Sequence, residues 1–255
     1  MSALATAQWV AAAENPSPSP TLPVLVELFT SEGCSTCPPA DELLGKLDRL
    51  QPVSGTQVIA LSEHVDYWDH DGWKDPHSSP VFTDRQRQYG RRFGLNVYTP
   101  QMVIDGASQF NGSDVSSASR AFAMARSRPK IGVRISRLWL ENPTTLRAHL
   151  ESEALPQSSP AHKADVYVVV ALDHAESQVL RGENKGRHMT HVAVAEKVRR
   201  VGAVGTQQGF QGEVELKLDA AADPANLRLV AFIQEPDAGE VLGTSMQKLA
   251  NESEK

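Results

Sequence analysis

The chain contains two cysteines, and they lie only three residues apart, at Cys34 and Cys37. A single pair cannot build a disulfide framework, but this Cys-x-x-Cys spacing is typical of thiol–disulfide exchange sites. The pair follows a short apolar run, VLVELF, at residues 24–29 and precedes apolar residues at helical spacing in residues 40–50. The sequence therefore predicts that the pair lies between a buried strand and the first turn of a helix.

At such a junction, backbone N–H groups and the helix dipole lower the pKa of a thiol and favour the thiolate. We therefore predict that Cys34 is the exposed nucleophile that attacks a disulfide sulfur, and that Cys37 resolves the mixed disulfide. Pro38 and Pro39 remove two amide donors early in the helix and weaken this effect on Cys34, so the direction of electron flow stays open. The expected activity is that of a thiol–disulfide oxidoreductase, and the expected partners are protein or small-molecule thiols and disulfides.

The hydrophobic pattern divides the chain into two predicted domains. Residues 23–129 show the order β-α-β-α-β-β-α, which predicts an α/β domain with a central sheet and flanking helices. Residues 130–250 alternate apolar and polar side chains in six or seven short segments, which predicts an antiparallel β-sandwich-like domain. The clearest local signals are the helix start Ser79-Pro80, the helix stop Gly94, the hairpin turn Asp105-Gly106 and the helix cap Asp114.

Residues 1–22 are predicted to be a signal-like segment followed by a tether. Residues 3–13 are mostly apolar and end in small residues that resemble an export-signal cleavage site, and the proline-rich residues 15–20 favour an extended tether. A periplasmic or secreted location is therefore expected. The alternative is cytoplasmic, because the basic residues that normally begin such a signal are missing.

The net charge of -6 excludes a generic binder of nucleic acids, which needs a basic surface. No apolar run approaches the ~18 residues that span a bilayer, so membrane insertion is not expected. No cofactor is expected either, because the glycine-rich residues 182–187 lack the Gly-Lys-Ser/Thr ending of a P-loop. A turn between two strands is the better interpretation of that segment.

The order of strand, Cys-x-x-Cys and helix, with Thr99-Pro100 before a later strand, resembles the thioredoxin superfamily. In that fold a cis-proline faces the cysteine pair and the residue before it contacts bound peptide, so the resemblance implies substrate binding at Thr99 and Pro100. The position before the first cysteine departs from ordinary thioredoxins, because Gly33 stands where they have Trp.

The chain also resembles an uncharacterised, secreted thioredoxin-like family, catalogued as domain-of-unknown-function family 1223. The segments that carry this resemblance are residues 29–40, 64–69, 98–101 and 182–184. The resemblance covers nearly all of residues 23–250. It implies a thioredoxin-like fold, but it supplies no established reaction.

Acidic residues and histidines crowd the loop at residues 63–79. One interpretation is a solvated loop that aromatic residues anchor, and a second is a loop that gates access of substrate. A third is a copper or zinc site formed by Cys34, Cys37 and His64, in which case the protein binds or delivers metal.

Two further alternatives stay open. Glu32 and Asp66 are candidates for proton transfer to Cys37, although such acids are more often surface or capping groups. The whole protein is alternatively a non-catalytic thioredoxin-like binding module, in which the two cysteines form a local clip.

Overall fold

The computed structural model describes residues 21–218 and 223–249, so the predicted leader and proline-rich tether in residues 1–20 lie outside the described residues. The helices are α1 (Pro38–Leu50), α2 (Pro80–Phe93) and α3 (Val115–Arg126), with a short 3-10 helix at Pro224–Asn226. The strands are β1 (Leu22–Thr30), β2 (Thr56–His64), β3 (Gln101–Ile104), β4 (Ser108–Asn111), β5 (Val133–Asn142), β6 (Thr145–Ser152), β7 (Lys163–Gln178), β8 (His188–Gly205), β9 (Gln211–Lys217), β10 (Leu227–Gln234) and β11 (Val241–Lys248). None of the helices in these residues is both long and apolar enough to cross a membrane.

The first half of the chain builds a β-α-β unit followed by a hairpin. Strand β1 runs parallel to β2, with α1 connecting them, and β1 pairs on its other edge with the antiparallel strand β3, which turns back into β4. The predicted order of elements is confirmed here. Ser79 and Asp114 cap α2 and α3 with their side chains, and Gly94 ends α2 in a left-handed conformation.

The described residues of the second half form seven strands, β5 to β11, as the period-two pattern indicates. Four of them extend the sheet of the first half through a parallel contact between Ser62 of β2 and Val194 of β8, which gives the order β11-β10-β7-β8-β2-β1-β3-β4. The other three form a separate sheet in the order β5-β6-β9. The fold is therefore mixed α/β with a large, mostly antiparallel sheet.

This sheet differs from the predicted arrangement of an α/β domain followed by a sandwich. Period-two alternation shows which face of a strand is buried, but it does not show which strands pair. Strands β7 and β8 are 16 and 18 residues long, and β8 is long enough to pair with β7 and to reach β2 as well. The division into domains at residues 129 and 130 stays a prediction.

The elements pack in three layers around the large sheet. On one face, α1 and α3 cover the strands of the first half, and the β5-β6-β9 sheet covers β7 and β10. On the opposite face, α2 packs through Phe82 and Tyr89 against the sheet. The helix α1, which carries the cysteine pair at its start, therefore lies on the same side of the sheet as the small second sheet.

A buried polar network joins α2 to the sheet. The guanidinium of Arg85 donates to Glu27 on β1 and to Gln234 on β10, and it lies 3.5 Å from a carboxyl oxygen of Glu63 on β2. The hydroxyl of Tyr89 donates to Glu27 over 2.6 Å. Burial, together with the neighbouring Glu27 carboxylate, raises the pKa of Glu63 well above its usual range.

We predict that Arg85→Met lowers the free energy of unfolding by about 3–5 kcal/mol, because it leaves the buried carboxyl of Glu27 without its cation. Chemical denaturation at neutral pH measures this change. The matched control is Arg87→Met on the same helix, whose ion pair with Asp84 is exposed and contributes little. Equal effects of the two substitutions would show that the buried network does not hold α2 in place.

Candidate functional site

Cys34 and Cys37 lie between β1 and α1, as predicted, and they are joined by a disulfide with a Cα–Cα distance of 5.4 Å. The backbone forms a tight turn here, in which the N–H of Cys37 donates to the carbonyl of Cys34 over 3.2 Å. Cys37 is the cap residue of α1, and Pro38 is the first helical residue. Because Pro38 and Pro39 occupy the first helical positions, the regular helix starts after the cysteines.

The prediction that Cys34 is exposed is wrong, since both cysteines are 0% exposed. Ser35 and Thr36, which lie between them, are exposed. The hydroxyl oxygen of Thr36 lies 3.4 Å from the sulfur of Cys34, within reach of a weak hydrogen bond. The disulfide thus lies just beneath the surface, with its backbone covered by other parts of the chain.

The loop between β7 and β8, residues 179–187, covers this backbone, and we call it the hairpin loop. The side-chain amide of Asn184 donates to the carbonyls of Glu32 and Cys34, both over 2.9 Å. The carboxylate of Glu183 accepts a hydrogen bond from the backbone N–H of Ser35 over 3.2 Å. The segment is a turn between strands, as predicted, but sequence reasoning missed its contact with the cysteines.

Trp68 covers the site from the loop at residues 65–79. Its indole N–H donates to the hydroxyl of Thr99 over 2.8 Å, and its backbone and Cβ pack against Gly33. A Cβ at Gly33 would lie 3.0 Å from the Cβ of Trp68, which explains why a large side chain is absent from the position before Cys34. A tryptophan from a different part of the chain therefore occupies this side of the site.

Pro100 lies against the start of α1. The Thr99–Pro100 peptide bond is cis, and the carbonyl of Pro100 accepts a hydrogen bond from the N–H of Gly112 over 2.9 Å. A Cβ on Gly112 would lie 2.9 Å from the Cβ of Ala40 and 3.2 Å from that of Pro100. Pro100 is therefore close to the first turn of the helix that follows Cys37.

Buried acids and histidines lie behind the disulfide. An imidazole nitrogen of His191 lies 3.4 Å from the Glu32 carboxylate, and its other nitrogen lies 4.0 Å from that of Asp41. His64 packs edge-on against His191, with ring centroids 4.7 Å apart, and its Nδ1 lies 2.7 Å from Asp75. The carboxylate of Asp75 also accepts a hydrogen bond from the backbone N–H of Glu32 over 2.8 Å.

These carboxyl groups differ in their protonation. Burial alone would raise the pKa of Glu32, but hydrogen bonds from His191, Ser177 and Trp73 hold it below its usual value. Burial raises the pKa of Asp41 to about 6, and the nearby His191 only partly opposes this rise. Asp41 is therefore the carboxyl of this cluster that changes charge near neutral pH.

Of the two predicted proton-transfer residues, Glu32 lies in the cluster and Asp66 does not. Asp66 accepts a hydrogen bond from the hydroxyl of Thr83 on α2. Sequence reasoning missed Asp41 and His191. The position of Asp41, four residues after Cys37 and so on the same helical face, is the signal that would have pointed to it.

The alternative copper or zinc site at Cys34, Cys37 and His64 is not formed. The two sulfur atoms are bonded to each other, so neither is a thiolate ligand in this state. Across residues 21–218 and 223–249, no group of three or more His, Cys, Asp or Glu side chains is arranged to hold a metal ion.

A cavity of about 500 Å³ lies between α1 and the start of β8. Pro38 and Asp41 line it on the helix side, and Arg187 and Thr190 line it on the strand side. Pro38 directly follows Cys37, so the cavity lies at the start of α1. Asp41 lines it, although the carboxyl oxygens of Asp41 are themselves buried.

These features define a mixed α/β protein with a Cys-x-x-Cys disulfide at a strand–helix junction. The chain belongs to DUF1223, a family described as proteins of unknown function, which matches residues 25–234. No curated protein matches the sequence.

Two solved structures are similar over most of the chain. Protein AGR_C_4864 from Agrobacterium tumefaciens is 28% identical, with a TM-score of 0.69 over 92% of this chain and 97% of that chain. HBP35 of Porphyromonas gingivalis is 12% identical, with a TM-score of 0.65 over 91% of this chain and 77% of that chain. At 12% identity the second likeness shows the fold alone.

We predict that Asp41→Asn stabilises the protein at pH 8 but not at pH 4. The pKa of Asp41 is about 6 in the folded protein, against a usual value of 3.8. The folded state therefore keeps a proton that the unfolded chain releases, and the free energy of unfolding falls as pH rises between these values. Above pH 7 the substitution removes a cost of about 2–3 kcal/mol.

Denaturation of wild type and variant at pH 4 and pH 8 measures this difference. Glu42→Gln is the matched control, because Glu42 is the exposed neighbour of Asp41 on α1. A gain in stability that is equal at both pH values would contradict the titration assigned to Asp41.

Proposed function

We propose that the protein catalyses thiol–disulfide exchange through the Cys34/Cys37 pair. The observation that carries this proposal is the disulfide at the junction of β1 and α1. The two cysteines lie in a single backbone turn, with their Cα atoms 5.4 Å apart, so the disulfide can open and close without rearrangement of the core. The hydroxyl of Thr36, 3.4 Å from the sulfur of Cys34, supports Cys34 as the reacting thiolate because it can donate to a negative charge there.

The first half is proposed to be thioredoxin-like, and the order of its elements supports this assignment. The strand order β2-β1-β3-β4 has a parallel pair joined by α1 and an antiparallel hairpin followed by α3. Helices α1 and α3 lie on one face and α2 on the other. In that arrangement Thr99 and Pro100 are the positions proposed to contact a bound substrate.

The proposed reaction begins when a substrate thiolate attacks the sulfur of Cys34. The Cys34–Cys37 bond breaks, a bond forms between Cys34 and the substrate, and Cys37 leaves as a thiolate that takes up a proton. A second substrate thiol then gives up its proton and attacks the mixed disulfide, which releases the oxidised substrate and the thiolate of Cys34. The cysteine pair gains the two electrons that the substrate loses, Cys37 ends with the one proton that the second substrate thiol gives up, and Cys34 ends as a thiolate. The reverse direction uses the same atoms.

Asp41 is proposed to hold the proton that this reaction moves. Asp41 lies one helical turn after Cys37, and its pKa of about 6 lets it gain and lose a proton near neutral pH. Asp41 is one of the residues that line the cavity between α1 and β8, although its carboxyl oxygens are buried. Glu32 has a different role. The hydrogen bonds that Glu32 accepts keep its carboxylate ionised, so Glu32 is better suited to orient His191 than to release a proton.

Protein or small-molecule thiols and disulfides are the proposed partners. A periplasmic or secreted location is proposed from the sequence of residues 1–20 alone. Disulfides persist in such oxidising compartments, so the location and the chemistry agree.

A second candidate function is a binding module in which the disulfide is a structural clip. The complete burial of both cysteines favours it, because a buried disulfide resists reduction. The two candidates differ in whether the native protein exchanges disulfides.

We predict that Cys37→Ser traps mixed disulfides with substrates. Cys34 still attacks the substrate disulfide in this variant, but no second thiol is present to break the mixed disulfide. Cys34→Ser abolishes exchange. The assay is reduction of a model protein disulfide, with covalent complexes detected by mass on gels without reductant.

Thr36→Ser is the matched control, since it keeps the hydroxyl beside Cys34 and is expected to retain most of the exchange activity. If both cysteine variants reduce the model disulfide as well as wild type does, the proposed function is wrong. Trapping through Cys37 in the Cys34→Ser variant would reverse the assigned roles.

A further inference from the structure

We propose that the hairpin loop, residues 179–187, is a lid that must open before Cys34 reacts. This inference rests on the proposed function for its biological meaning, but the motion itself is testable without any substrate. It starts from a conflict between two observations: the cysteine pair lies at a junction suited to exchange, and yet both cysteines are 0% exposed.

The base of the loop is fixed by backbone hydrogen bonds, and its tip is held by Asn184, by Glu183 and by the packing of Gly182 against Trp73. At the base, the N–H of Val179 donates to the carbonyl of Arg187 over 3.0 Å, and the N–H of Gly186 donates to the carbonyl of Val179 over 2.8 Å. Of residues 180–187, only Asn184 is buried. A segment with so little buried apolar surface opens at a small cost in free energy compared with the core.

Asn184 is the latch of this lid. Its side-chain amide donates to the carbonyl of Glu32, two residues before the first cysteine, and to the carbonyl of Cys34 itself. Gly182 and Gly186 on either side have positive φ values of 74° and 86°, a conformation that glycine adopts without strain. Asn184 therefore lies between two glycines whose backbone conformations suit a tight loop.

Glu183 adds an electrostatic effect to the cover. Its carboxylate accepts the N–H of Ser35, the first amide after Cys34. In a reduced site that amide would otherwise be free to stabilise a thiolate on Cys34. The closed lid thus covers Cys34 and keeps a carboxylate on the amide that follows it, and opening of the lid removes both obstacles together.

The outer face of the loop is where a partner would make contact. Leu180 is 63% exposed, and Arg181, Lys185 and Arg187 are exposed beside it. A substrate that engages this face gains access to the disulfide by displacing the loop.

The experiment follows the reduction of the native, oxidised protein by a water-soluble phosphine, with iodoacetamide quenching and mass detection of two alkylated thiols. Asn184→Ala is expected to accelerate reduction about tenfold or more, because both latch hydrogen bonds are lost. Glu183→Ala, at an exposed position that the fold tolerates, is expected to accelerate it by a smaller factor. Lys185→Ala, in the same loop, is the matched control and is expected to stay within about twofold of wild type.

Thermal unfolding of each variant shows whether the acceleration is local, since a lid mutation leaves the global transition nearly unchanged. Rates equal to wild type in both Asn184→Ala and Glu183→Ala would overturn the proposal. Faster reduction of Trp68→Phe, with wild-type rates in both hairpin-loop variants, would also overturn the proposal. Residues 65–79, and not the hairpin loop, would then limit access to the disulfide. Reduction by the phosphine needs no exchange activity, so an accelerated variant that reduces no protein disulfide would refute the proposed function and leave the lid intact.

Discussion

The contact between Ser62 of β2 and Val194 of β8 joins the two halves of the chain into one sheet. Because β8 follows the β7–β8 turn directly, this contact places the hairpin loop against the start of α1. It also brings His191, three residues before Val194, beside the acids behind the disulfide. The candidate site is therefore composite: the cysteines come from the first half, and the loop and a histidine that surround them come from the second.

The environment of the disulfide is polar although it is buried. Asp75 and Glu32 stay ionised because histidine, serine, tryptophan and backbone donors oppose the cost of burial. Asp41 has weaker partners, and its pKa rises to about 6. Buried charges of this kind reduce stability, and groups with shifted pKa values concentrate at functional sites, so their position beside the cysteine pair favours a chemical role over a purely structural one.

Local features of the sequence predicted much of the fold. Apolar runs located β1 and β2, and the caps Ser79 and Asp114 located the starts of α2 and α3, because these signals depend on neighbouring residues alone. The pairing of β8 with β2 could not be predicted, since alternation does not identify partner strands. The burial of Cys34 was missed for the same reason: its cover, Asn184, lies 150 residues further along the chain.

Redox equilibration of the native protein across a series of glutathione ratios tests the central claim most directly, with alkylation and mass detection of the cysteine pair. An exchange protein is predicted to show a reversible transition involving two thiols, with a midpoint between about -270 and -120 mV, the range of known exchange proteins. A pair that stays oxidised below about -300 mV, and is reduced only after the protein unfolds, would contradict the account and identify the disulfide as a structural clip.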